Sequence, residues 1–123
     1  MILAVLDDIF FSIKIKTAAK TLGVEVYFER SPDQVIGAIR DKAPRLVIFD
    51  LDSQKMRPLE SLAAMKADPG LRDVPTLGFV SHVHADVIAA ARAAGVDQVL
   101  ARSAFVDRLG SILKPESSST STT

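Results

Sequence analysis

Five short apolar runs, each followed by a stretch with helical spacing, constrain this chain more than any other feature. Residues 2–6 (ILAVL) are continuously apolar, as in a strand covered on both faces. Residues 9–22 then place Ile9, Phe10, Ile13, Thr17 and Leu22 at roughly helical intervals, and Gly23 supplies a C-cap. Residues 24–28 form a second run. Ser31-Pro32-Asp33-Gln34 reads as a helix start, with Ser31 as N-cap, Pro32 at the first helical position and Gln34 completing a capping box. Val35, Ile36 and Ile39 give that helix a buried face, and Pro44 follows its end. Further strands are expected at 46–49, 75–80 and 98–101. Further helices are expected at 58–66 and 85–94, the latter closed by Gly95, with a last one from the cap Ser103 through Leu113. Gly78, alone inside the fourth run, implies close packing or a weakened strand.

Five alternations of strand and helix predict an α/β fold: a single doubly wound five-stranded parallel sheet with five helices. At 123 residues the chain fits one domain, residues 1–113. The final stretch 114–123 (KPESSSTSTT) lacks apolar residues and is expected to be a disordered tail. Lys plus Arg and Asp plus Glu number 15 each, so no basic excess points to nucleic acid or to an anionic membrane. The absence of cysteine excludes disulfides, thiol nucleophiles and thiolate metal sites. Two acids interrupt the apolar N-terminus, and no apolar run approaches the ~20 residues that span a bilayer. A cytoplasmic protein is the expectation.

In such sheets function gathers beyond the carboxyl ends of the strands. That rim receives Asp7 and Asp8 after the first strand, Asp50 and Asp52 after the third, Ser81 and His82 after the fourth, and Arg102 and Ser103 after the fifth. Carboxylates from neighbouring strand ends make a hard oxygen site suited to Mg2+, which takes one or two carboxylates plus waters and phosphate oxygens. A cation (Arg102) and a hydroxyl (Ser81) within reach of an acid are the parts of an aspartyl-phosphate site.

Three segments, ILAVLDD, PRLVIFDLD and AARAAGVDQVLARS, resemble receiver domains of two-component response regulators over residues 1–113. The last follows the family's Ala-Gly-Ala-Asp-Asp-Tyr-Leu-x-Lys-Pro stretch. The resemblance implies a flavodoxin-like sheet with strand order 2-1-3-4-5. It implies Asp50 as phosphoacceptor. It implies Mg2+ held by Asp7, Asp50 and the backbone carbonyl of Asp52, with Asp8 able to move in because Leu6 stands where the family has its first acid. Arg102 stands where the family has a lysine. The switch hydroxyl falls on Val80, with Ser81 one residue late. The switch aromatic is Val99, and the proline after the lysine is Ser103. The implied role is non-enzymatic signalling. A histidine kinase or another signalling protein would be the partner, and output would pass to a separate protein. The helix at 85–94, the fifth-strand rim and the last helix would form the contact face.

Two other readings stay open. A pseudo-receiver would keep the fold but bind partners without phosphorylation, with Arg102 locking Asp50 or Asp7 in a salt bridge. VIFDLD also resembles the Asp-x-Asp opening of haloacid-dehalogenase-type phosphatases, in which the first Asp is a nucleophile. That family continues with Gly-Thr, where this chain has Ser53-Gln54. Asp8 suits a helix N-cap as well as it suits a ligand. His82 and His84 would share a side only if their stretch were a strand, which would make zinc conceivable. In a helix start they diverge.

Overall fold

A computed structural model of the chain describes residues 1–82 and 84–114. The tail expected to be disordered lies, from residue 115 on, outside the described residues. Strands β1 (Ile2–Val5), β2 (Val26–Glu29), β3 (Leu46–Asp50), β4 (Thr76–Val80) and β5 (Gln98–Ala101) form one parallel sheet in the order β2-β1-β3-β4-β5. Among the described residues six helices connect and cover them: α1 (Ile9–Leu22), α2 (Val35–Lys42), α3 (Pro58–Ala67), α4 (Ala85–Ala94), α5 (Arg102–Asp107) and α6 (Leu109–Leu113). Among the described residues no helix is long and apolar enough to cross a membrane.

The inner strands β1, β3 and β4 are almost wholly apolar because both faces are covered. Ile2, Ala4, Leu6, Ile48, Leu77 and Phe79 point to the α1, α5 and α6 side, where Phe11, Ile15, Phe105, Leu109 and Leu113 meet them. Leu3, Val5, Val47 and Phe49 point to the opposite side, under Val35, Ile39, Leu62, Met65 and Ala91. The two-residue alternation of a strand thus divides one apolar run between two cores. Gly78 is where it is because the Leu51 side chain lies across β4. A Cβ there would stand 2.5 Å from Leu51 Cδ1.

Several local expectations change. Helix α1 has the expected bounds and its Gly23 cap, in the left-handed conformation at φ 70°. Its buried face, however, is Phe11, Ser12, Ile15 and Ala19, not the Ile9–Phe10–Ile13 stripe. Both stripes are apolar. The one carrying Phe11 wins because that ring completes an aromatic cluster, with centroids 4.9 Å from Phe79 and 5.9 Å from Phe105. Ile9, Phe10 and Ile13 are left 54%, 85% and 55% exposed.

The second strand begins two residues later than expected, at Val26. Ser31 does not cap through its side chain. Its own N–H donates to Glu29 Oε2 at 3.1 Å, and Pro32–Gln34 form a 3-10 turn ahead of α2. Ser103 is not a cap either, because the helix starts at Arg102, with the extended Ala101 in the N-cap position. The final helix divides at Arg108, which leaves the helical region at φ −100° and ψ 7°. Phe105, Leu109 and Leu113 still share a buried stripe across the break. The Arg45 guanidinium closes the end of α6, donating to the carbonyls of Leu113 (2.7 Å) and Lys114 (2.8 Å).

Candidate functional site

Asp50 is the last residue of β3, the middle strand of the sheet, and only 7% exposed. Its Oδ1 accepts the N–H of Asp52 at 3.0 Å. Burial pushes its pKa above the ordinary value. The Asp52 N–H opposes this, the Asp52 charge adds to it, the Arg102 charge opposes it and the Asp7 charge adds to it. A carboxylate kept from water among other carboxylates is a poor structural element and a good nucleophile or cation ligand.

The two acids that raise its pKa are each held by a serine. Ser53 Oγ donates to Asp7 Oδ1 at 2.7 Å and accepts the Met56 N–H at 3.2 Å. Asp52 Oδ2 accepts the Ser81 N–H at 2.6 Å and the Ser81 hydroxyl as well, tying the β3–α3 loop to the β4–α4 loop. The structure therefore places Ser81 on Asp52. Val80, at the family's switch position, is fully buried.

Asp8 and Arg102 form the other side of the rim. Asp8 takes the capping role: Oδ1 accepts the Phe11 N–H at 3.0 Å and so caps α1. Oδ2 accepts Arg102 Nη2 at 2.9 Å. The Phe11 N–H and then Arg102 hold the Asp8 carboxyl below its ordinary pKa. The guanidinium carbon lies 4.2 Å from the Phe11 ring centroid and 5.8 Å from that of Phe79. Arg102 Nε is buried without a partner. The lock of Arg102 on Asp50 or Asp7 that a pseudo-receiver would have is not formed: Arg102 pairs with Asp8 instead.

His82 and His84 are exposed residues ahead of α4 with ring centroids 6.2 Å apart. Among the described residues no three His, Cys, Asp or Glu side chains group as metal ligands. The residues that the resemblance implies for a cation are the Asp7 and Asp50 carboxylates and the Asp52 carbonyl. That set of two carboxylates and a carbonyl fits Mg2+. Asp8 is engaged on one oxygen by the Phe11 N–H and on the other by Arg102. The sequence reading missed Ser53 and the Phe11–Phe79 platform under Arg102. A serine three residues after Asp50 was the visible signal for the first, and nothing in spacing marked the second.

No family model matches the chain, and no curated protein matches it. Solved structures do. A response regulator from Hahella chejuensis superposes with a TM-score of 0.81 at 18% identity, over 91% of this chain and 90% of that one. The phosphorylated cyanobacterial phytochrome response regulator RcpA gives 0.72 at 25% identity, over 92% and 88%. A response regulator in its Mn2+-bound form gives 0.73 at 20% identity, over 90% and 89%. The chain has the fold of response-regulator receiver domains, with their strand order. In it the Asp-x-Asp segment falls at the end of the third strand.

Proposed function

We propose that this receiver-fold chain is a response-regulator-like signalling protein in which Asp50 accepts a phosphoryl group. The observation that carries the reading is Asp50 itself: buried at the end of the middle strand, its pKa raised, with two further carboxylates beside it. Its Oδ1 is held by the Asp52 N–H, which leaves Oδ2 as the attacking atom. The Oδ2–P bond forms as the bond from phosphorus to the donor's leaving atom breaks, and that atom keeps the electron pair and takes a proton. Asp7, Asp50 and the Asp52 carbonyl would hold Mg2+, which supplies neutralisation of the phosphoryl oxygens when bound. Arg102 is the cation on hand for the product, and reaching it would mean leaving Asp8.

The signal would pass by protein contact, from a histidine kinase or another phosphodonor protein and on to a separate output protein. The face at α4 and β5 exposes no large apolar side chain, whereas α1 exposes Ile9, Phe10 and Ile13. Lys14, Lys16 and Lys20 lie on the same helix, which has no acidic residue. A partner with an apolar surface and acidic edges fits α1.

One observation favours a pseudo-receiver instead: Arg102 and Ser81 are both bound to acids other than Asp50. Amide NMR spectra with Mg2+, before and after beryllofluoride (a mimic of the aspartyl phosphoryl group), separate the two readings. Shifts around Asp7, Asp50, Ser81 and Arg102 that vanish in Asp50→Asn are the expected result. An unchanged wild-type spectrum would remove phosphorylation from the account and leave the phosphorylation-independent module.

A further inference from the structure

Ser53 is 8% exposed in the middle of the loop between β3 and α3. Its hydroxyl has a single proton, and the direction of both its bonds is forced. The Met56 N–H can only donate, so Ser53 Oγ accepts from it; an ionised carboxylate can only accept, so the proton goes to Asp7. Met56 is fully buried, which fixes the N–H that orients the hydroxyl. The Ser53 N–H in turn donates to the Asp50 carbonyl at 3.3 Å. One small residue therefore touches the acid that follows β1 and the acid that ends β3.

We infer that Ser53 is a positioning residue for a divalent cation held by Asp7 and Asp50. The inference rests on the acceptor reading above. By occupying Asp7 Oδ1, Ser53 fixes that carboxylate and leaves Oδ2 to a cation. Carboxylate ligands of metals are commonly oriented by such outer hydrogen bonds, and losing one weakens metal binding roughly 10–100-fold. The competing role is structural: Ser53 also closes the turn ahead of α3 through Met56.

Mn2+ titrated into the full chain, followed by paramagnetic broadening of amide signals, tests the inference and reports folding in the same spectra. In the wild type, saturable broadening is expected at Asp7 and at residues 50–53, and Asp50→Asn should abolish it. Ser53→Ala should raise the apparent Kd about ten-fold or more. Ser53→Thr, which keeps the hydroxyl, should stay within about three-fold of the wild type. A ten-fold loss of affinity in Ser53→Ala with the rest of the amide spectrum native is what a purely structural role would not produce. If Ser53→Ala loses its native spectrum, Ser53→Cys decides the matter, because it fills the site and weakens the donor. Wild-type affinity in the folded Ala or Cys variant overturns the role of Ser53 and leaves the acceptor reading standing. A wild-type chain that shows no broadening at these residues overturns the cation site itself, and Ser53 with it.

Discussion

Asp8 and Asp50 look equivalent in sequence, each an acid just past a buried strand, and the fold treats them in opposite ways. At the α1 end, Asp8 meets an N–H and a guanidinium, and its pKa is held down. At the end of β3, Asp50 is desolvated among acids, and its pKa is pushed up. The first is an acid whose charge has been answered by the fold. The second is an acid whose charge has been left open, and an open charge at a rim is where a cation or a phosphoryl group has something to gain.

The sharpest way to break the contrast is to remove the cation. Arg102→Ala deletes the bond to Asp8 and the stacking on Phe11, and should cost about 2 kcal/mol in urea unfolding. A loss below about 0.5 kcal/mol would show that Asp8 is not answered by Arg102 at all.

Asp50→Asn should do the reverse and stabilise the magnesium-free protein at neutral pH, by less than the loss in Arg102→Ala. The sign follows from the raised pKa. The folded state holds the Asp50 proton more tightly than the unfolded chain does. Stability therefore falls as pH rises from the ordinary value of 3.8 through the raised one, and the penalty is complete at neutral pH. Below 3.8 the advantage of Asn should fade. Asp8 runs the other way: its contribution is present at neutral pH and is lost as pH falls from 3.8 through its lowered pKa. Unfolding series for wild type and Asp50→Asn across this range measure both, and a mutant less stable at pH 7 than at pH 4 relative to wild type would contradict the assignment.

The smallest effect is the coupling itself. A cycle through Asp8→Ala, Arg102→Ala and the double variant should return about 0.5–1 kcal/mol, because both side chains are about one-third exposed. A coupling of zero would assign the worth of Asp8 to its cap alone.

The alternation of runs was enough to read the parallel sheet, and α4 and β5 fall on the expected residues, 85–94 and 98–101. What escaped depended on tertiary neighbours. Helix α1 is apolar on two sides, and only Phe79 and Phe105 decide which side is buried. Ser31 and Ser103 have the right chemistry for caps, but the chain turns into a 3-10 segment at one and starts its helix ahead of the other. Asp7, Asp50 and Arg102 were visible as rim residues. Which side chains pair was not, since Ser53 lies 46 residues from Asp7 and Arg102 lies 94 from Asp8.

Asp8 caps the longest helix with one carboxylate oxygen and holds Arg102 with the other. The amide proton of Phe11 therefore exchanges with solvent only as often as that carboxylate lets it go. Anything that draws Arg102 toward Asp50 alters the same carboxylate, and the exchange rate of one amide would record it. The molecule carries its own gauge of what its arginine is holding, placed on α1 beside the exposed Phe10 rather than in the acceptor loop.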